Sequence, residues 1–281
     1  MKSFITINGK ILDVSQPIVM AIINITPDSF FSGSRHCTPE NILAATQRAV
    51  DFGATIIDIG GYSTRPDANF VSEKEEEKRV CKALDIIRWR FPNLPISIDT
   101  FRSKIAQKAV NDFHANIIND ISGGELDNKM FQTSAQLNVP YILTHSRGNS
   151  QTMQKLTNYQ SATKEVLDFF IKKTNELQQL GMKDIIIDPG FGFAKTVAQN
   201  YELLKNLRTF EILNMPILGG ISRKSMIYKP LQTTPDLALN GTSILNTLLL
   251  REGASILRVH DVKEAMEAIT LFKLFQENTK N

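Results

Sequence analysis

The segments TIIDIGG at Thr55–Gly61, PISIDT at Pro95–Thr100 and NIINDIS at Asn116–Ser122 decide how the rest of the chain reads. Each is short, rich in isoleucine and nearly continuous in hydrophobicity, the pattern of a strand buried on both faces of a parallel sheet. Between the first two lies Glu73–Arg90, an amphipathic stretch of helical character. The alternation continues in both directions. Ile18–Asn24, Pro140–Ser146, Asp184–Gly190, Pro216–Ser222 and Ser255–Asp261 read as strands, and Glu40–Phe52 and Ala162–Leu180 as helices. Gly53, Gly181 and Gly253 stand just before the next strand and suit a helix C-cap. Eight β–α units in about 260 residues predict an α/β chain folded as a (β/α)8 TIM barrel rather than a six-stranded open sheet.

Outside this repeat, residues 1–14 alternate apolar and polar around Asn8-Gly9, a dipeptide that favours a tight hairpin. Topology puts this N-terminal β-hairpin across the N-terminal mouth of the barrel. No Ser/Gly-rich linker or compositional break divides the chain, so residues 1–281 are expected to form one domain.

Composition narrows the function classes. The 281 residues include 32 Lys plus Arg and 29 Asp plus Glu, a formal charge of +3 spread along the chain. A nucleic-acid binder that tracks phosphates is not expected. Hydrophobic residues make up 42% and charged residues 22%, an ordinary globular balance. Cys37 and Cys81 are the only cysteines, without metal-site spacing. No apolar run approaches the roughly 18 residues that cross a bilayer. The expectation is a soluble, cytoplasmic protein with no membrane partner.

In such a barrel, chemistry sits at the C-terminal ends of the strands. Those ends carry Asn24, Asp58, Asp99, Asn119 with Asp120, His145, Asp188, Ser222-Arg223-Lys224, and Arg258 with His260. Asp58, Asp99, Asn119 and Asp188 offer acceptors for a flat heterocycle bearing amino and ring N–H donors. Arg65, Lys224, Arg258 and His260 offer donors and positive charge for phosphate or a departing anion. Two glycine-bearing stretches fail as nucleotide loops. Ala194 and Pro189 stand where a P-loop ending at Lys195 needs glycines, and Arg223 precedes Lys224. Lys195 occupies the third glycine position of a dinucleotide motif starting at Gly190.

NITPDSFF (Asn24–Phe31), DIGGYSTRP (Asp58–Pro66), SIDT (Ser97–Thr100), INDISGG (Ile118–Gly124), DPGFGF (Asp188–Phe193), SRKS (Ser222–Ser225) and RVHDV (Arg258–Val262) follow one another, each at a strand exit. In these motifs the sequence resembles the dihydropteroate synthase family along essentially its whole length. The resemblance implies a homodimeric barrel. It also implies condensation of 6-hydroxymethyl-7,8-dihydropterin diphosphate with p-aminobenzoate, with Mg²⁺ and release of pyrophosphate.

Carried over by motif, it implies that Asp99, Asn119, Asp188 and Lys224 hold the pterin, with Asp58 in support. Asn24, Thr64, Arg65, Arg258 and His260 would bind the diphosphate, and Asn24 would offer Mg²⁺ an oxygen. Phe30, Thr64, Pro66, Phe193 and Ser225 would build the p-aminobenzoate pocket. Lys224, Arg65, Asp99, Arg258 and His260 would carry the catalytic burden. The chain departs from the family pattern at Ser146, where methionine is usual, at Tyr62 for glutamate, and at Asp67 and Ala194 for glycines. The related pterin-binding domain of methyltetrahydrofolate:corrinoid methyltransferases is an alternative. It lacks the TPDSFF and STRP loops and the Arg258-Val259-His260 run. A non-catalytic pterin binder is a third reading.

Other features are read without a functional role. Glu73–Lys78 (EKEEEK) is taken as a solvated first helical turn. His36 and His114 are placed on the surface, Trp89 and Phe91 against the barrel, and Cys37 is incidental. Lys195 is read as structural or solvent-facing, and His145 as lying behind the site. For the four cations, salt bridging to the rim carboxylates is the competing role.

Overall fold

The computed structural model describes residues 3–25, 38–62 and 70–278. Strands β1 (Phe4–Ile7) and β2 (Lys10–Asp13) form an antiparallel hairpin turning at Asn8 and Gly9, both at positive φ. The expected hairpin is present. Eight parallel strands follow: β3 (Ile18–Asn24), β4 (Ile56–Gly60), β5 (Ile96–Asp99), β6 (Ile117–Asp120), β7 (Tyr141–Thr144), β8 (Ile185–Asp188), β9 (Leu218–Gly219) and β10 (Ile256–Val259). They pair in the order β8-β7-β6-β5-β4-β3-β10-β9. A single parallel bridge from Ile187 to Ile217 brings the two outer strands together and nearly closes the barrel.

Most strands are two or three residues shorter than the sequence reading, and β9 is the largest departure. Pro216–Ser222 pairs regularly only at Leu218–Gly219. Glycine lacks a side chain to pack and weakens a strand. At Gly219 the space is taken from outside, because a Cβ there would lie 2.6 Å from Leu249 Cδ1.

The principal helices packed around the strands are α1 (Pro39–Asp51), α2 (Glu73–Arg90), α3 (Ser103–Phe113), α4 (Met130–Leu137), α5 (Ala162–Gln179), α6 (Val197–Lys205), α7 (Ser225–Tyr228), α8 (Leu239–Arg251) and α9 (Val262–Asn278). Their starts follow from local chemistry. Ser72 and Ser161 accept from backbone N–H groups three residues on, and Thr196 forms a capping box with Gln199. Gly53 and Gly181 lie at φ 98° and 88° just past α1 and α5, the left-handed geometry that ends a helix.

Strand alternation separates the barrel into layers. Met20, Ile56, Ile117, Ile142, Ile186, Leu218 and Ile256 form an apolar plug with Ile5 and Ile7 of the hairpin. The hairpin therefore seals the N-terminal mouth, as expected, and Thr6 N–H donates to Asp184 Oδ2 at 3.1 Å. Two residues further along the same strands come Ile22, Asp58, Asn119, Thr144, Asp188, Gly220 and Arg258. The interior thus changes from apolar to polar within one step of the pleat, and this step positions the site.

Two surface expectations are overturned. Trp89 is 80% exposed rather than packed on the barrel. The buried stripe of α2 runs Glu76, Val80, Ala83, Leu84 and Ile87, so Trp89, two positions past Ile87, points to the opposite side. Glu76, expected in a solvated turn, is fully buried. It accepts from Thr100 Oγ1 at 2.6 Å and from Arg102 Nη1 at 2.5 Å. Its burial raises its carboxyl above the usual range, with Thr100 and Arg102 opposing.

Candidate active site

A cavity of about 370 Å³ opens at the C-terminal rim of the strands. Asn24, Asp99, Phe193, Lys224, Ser225, Arg258 and His260 all line it, so seven residues singled out from the sequence converge. Asp58, Asn119 and Asp188 are buried in the polar layer, at 0%, 2% and 5% exposure. Phe30, Thr64, Arg65, Pro66 and Asp67 lie outside the described residues.

Arg258 organises the floor. Its Nε donates to Asp58 Oδ2 at 2.7 Å and its Nη2 to Asp99 Oδ2 at 2.5 Å. Asn119 Nδ2 donates to the same Asp58 oxygen at 3.1 Å. The two carboxylates raise the guanidinium's pKa against the desolvation that lowers it. The sequence reading placed Arg258 on the diphosphate; here it bridges the rim carboxylates, the competing role. Barrel curvature brings β4, β5 and β10 within reach of one guanidinium, a proximity that no linear spacing reveals. Asp58 accordingly supports Arg258. Burial pushes the Asp99 carboxyl up to about 7, opposed by Arg258 and reinforced by the Asp58 charge.

The other side of the floor is built by the turn after β8. Asp188 Oδ1 accepts from Gly190 N–H at 2.8 Å, and burial raises this carboxyl too, with Lys224 opposing. Gly190, at φ 70°, admits no side chain, because a Cβ would collide with the carbonyl of His145. Lys195 is buried, not solvent-facing. Its Nζ donates to the carbonyls of Gly190 and Phe193, both at 3.0 Å, and lies 2.9 Å from His145 Nδ1. It therefore ties the turn to the end of β7. Burial drives its pKa well down, and that of His145 likewise.

The facing wall carries two nitrogen donors, Lys224 and His260. Lys224 Nζ donates to Phe191 O at 2.6 Å and lies 4.4 Å from the centre of the Phe193 ring. Burial lowers it to about 8 although Asp188 and Asp99 pull it upward. His260 Nδ1 is 2.9 Å from Ser222 Oγ, and burial with the nearby cations depresses the ring to about 3. The imidazole is therefore neutral at pH 7, suited to neutral hydrogen bonding.

Several contributors escaped the sequence reading. Met153 and Gln154 line the cavity from a short 3-10 turn, Met153–Lys155, between β7 and α5; Gln154 Nε2 reaches Gly192 O at 3.3 Å. Their connection carries no periodic signal. Arg223, named at its strand exit without a role of its own, is a support. It is 4% exposed, and its Nε and Nη2 fork onto Asp261 at 2.8 Å each. Its Nη1 bonds the carbonyls of Pro235 and Asp236 at 2.9 and 2.7 Å. The fork joins the loop carrying Lys224 to the loop carrying His260. Its place inside the Ser-Arg-Lys run is the available clue.

Comparison with known proteins agrees with this geometry. The pterin binding enzyme family matches residues 20–260. Dihydropteroate synthase of Haemophilus influenzae is 38% identical over 268 residues, spanning 95% of this chain and 96% of its own. A Yersinia pestis dihydropteroate synthase solved with a sulfonamide drug has a TM-score of 0.92 at 35% identity, covering 98% of this chain and 99% of that one. The Xanthomonas albilineans enzyme with 4-aminobenzoic acid gives 0.88 at 33% identity, with 98% and 99% covered. A rim of carboxylates bridged by Arg258 and faced by Lys224, on a barrel shared end to end with these relatives, places the chain in the dihydropteroate synthase family of pterin binding enzymes.

Proposed function

We propose that the rim cavity condenses 6-hydroxymethyl-7,8-dihydropterin diphosphate with p-aminobenzoate to give 7,8-dihydropteroate and pyrophosphate. The observation that carries this is one cavity in which Asp99 faces Lys224, Arg258 and His260, with Asp188 buried at its floor. Asp188 and Asp99 are assigned to the amino and ring N–H edge of the pterin, and Lys224 to its ring acceptors. Asp58, which accepts from Asn119, and Asp99 hold Arg258 in place, while Arg258 turns its remaining donor surface toward the substrate. Asn24 and His260 are assigned to the diphosphate, joined by Thr64 and Arg65. Phe30, Pro66, Phe193 and Ser225 are assigned to p-aminobenzoate.

In the reaction the methylene C–O bond breaks and its electron pair leaves with pyrophosphate. The aniline lone pair forms the C–N bond, and the nitrogen sheds one proton. Electron donation from the dihydropterin ring stabilises the electron-poor methylene. The protein's task is to stabilise charge on the leaving group and to hold the amine in line. The arylamine is a neutral nucleophile, so no strong base is required.

Mg²⁺ fits the donor set in a limited way. Among the described residues no group of three or more His, Cys, Asp or Glu is placed to hold a metal, while Asn24 brings one hard carbonyl oxygen to the cavity. Such a site suits Mg²⁺ carried mainly by substrate phosphates and water, where the ion neutralises diphosphate charge. Asn24 would orient that complex.

We assign the homodimer interface to the outer face of α8 and α9, where Ile244, Leu271, Leu274 and Phe275 are 54%, 67%, 51% and 63% exposed. Large apolar side chains left exposed on two helices that pack together suit an association surface. No described helix is long and apolar enough to cross a membrane, and a cytoplasmic location is proposed. The deciding experiment is pyrophosphate release from the pterin diphosphate with and without p-aminobenzoate. Release that depends on p-aminobenzoate and yields dihydropteroate supports the assignment; release indifferent to the amine refutes it.

A further inference from the structure

Behind the main cavity lies a smaller compartment of about 30 Å³. Tyr62, Met153 and Phe193 line both spaces, so three side chains form the partition. The compartment's far wall includes Phe101, Leu126 and Ser146. A volume of about 30 Å³ exceeds the roughly 10–15 Å³ that one water needs and matches a methyl or hydroxymethyl group.

The polar atoms around this compartment are unequally engaged. Asn149 Oδ1 accepts from Gln151 N, Thr152 N and Thr152 Oγ1, and Ser122 Oγ donates to Asp120. Ser146 differs. It is half-buried, and among the described residues its hydroxyl has no hydrogen-bond partner. The partition can also adapt. Met153 is 3% exposed and packs with Phe193 and Ala194, and a thioether side chain repacks readily around an irregular occupant.

We propose that this compartment is a subsite for a short substituent on a heterocycle held in the main cavity. The fitting group is a methyl or hydroxymethyl, and Ser146 takes the hydrogen bond of a terminal hydroxyl. The proposal rests on the pterin reading of the main cavity. The substituent belongs on a ring position other than 6, since position 6 bears the diphosphate-carrying group. Burial of one methyl corresponds to about a fourfold gain in affinity.

The test is calorimetric titration of pterin, 7-methylpterin and 7-hydroxymethylpterin into the unsubstituted protein, Ser146→Met and Ser146→Ala. The unsubstituted protein is expected to bind both 7-substituted compounds at least threefold more tightly than pterin. Ser146→Met, whose longer side chain fills the compartment, is expected to abolish that preference, bringing both 7-substituted compounds to about the affinity of pterin or below it. Ser146→Ala is expected to keep the preference for 7-methylpterin and lose the extra affinity for the hydroxymethyl compound. Preference ratios that agree within twofold across all three proteins would overturn the subsite while leaving pterin binding intact. Failure of pterin itself to bind the unsubstituted protein would instead refute the main-cavity reading and the subsite with it.

Discussion

Arg223→Ala tests whether two catalytic loops share one support. Arg223 holds a positive φ of 56°, uncommon for a residue with a side chain, and its N–H donates to Thr242 Oγ1 at 3.1 Å. Four further bonds run from the guanidinium to Asp261, Pro235 O and Asp236 O. Bonds to charged groups contribute about 1.5–3 kcal/mol each, but these share one side chain and do not add. Removing one partner of a buried pair costs about 3–5 kcal/mol. The Asp261 side chain keeps 13% exposure, which lets water recover part of the loss. A destabilisation of about 3 kcal/mol is therefore expected by urea denaturation. Turnover is expected to fall about 100-fold because Lys224 and His260 lose their common anchor. Millimolar guanidinium added to the variant should restore part of it, which a general loss of packing does not permit. A variant within 1 kcal/mol of the parent and with unaltered turnover would refute the shared support.

Glu76→Ala should cost about 3 kcal/mol in urea denaturation by stranding buried Arg102, whereas Glu75→Ala, which breaks a half-exposed pair with Arg79, should cost under about 0.5 kcal/mol. Equal losses would contradict the buried assignment. Asp99 and Lys224 shape the pH profile in opposite senses. Because folding raises Asp99 to about 7, the folded state holds more protons through the window above 3.8, so its contribution to stability declines as pH rises toward 7. Asp99→Asn should flatten that decline between pH 5 and pH 7.5 in urea midpoints. Because folding lowers Lys224 to about 8, the unfolded state holds more protons between there and 10.5, so its contribution improves with pH across that window. Pterin affinity should nevertheless weaken above pH 8 as the Lys224 charge is lost; calorimetry showing flat affinity from pH 7 to 9 would remove Lys224 from ring binding. His260, depressed to about 3, should make stability fall with acid from pH 6.5 downward, and His260→Gln should reduce that slope.

The barrel was legible because its signals are local. A buried parallel strand must be apolar on both faces, and a helix must end where glycine can turn left-handed; both rules act within a few residues. The rim was legible for the same reason, since polarity at Asp99 or Asp188 ends an otherwise isoleucine run. Residues whose role depends on a distant partner were not. The charge run at Glu73–Lys78 hides one buried member, because Thr100 and Arg102 come from the end of the next strand. Trp89 looks like a packing residue until the phase of α2 is set by its burial. Arg258 carries the same charge whether it faces phosphate or carboxylate. Only closure of the barrel brings Asp58 and Asp99, 200 and 159 positions away, onto its guanidinium.

By itself, then, the order of residues determined the strand-and-helix repeat, the sealed and open ends of the barrel, and the family to which its rim motifs belong. Tertiary structure alone decided which cations are already paired, that Arg223 joins two loops, and that Met153 and Ser146 enclose a second compartment. The physical reason is range. Backbone propensity and hydrophobic period are properties of neighbouring residues, whereas burial, ion pairing and cavity shape are set by atoms that meet only when the sheet curves back on itself.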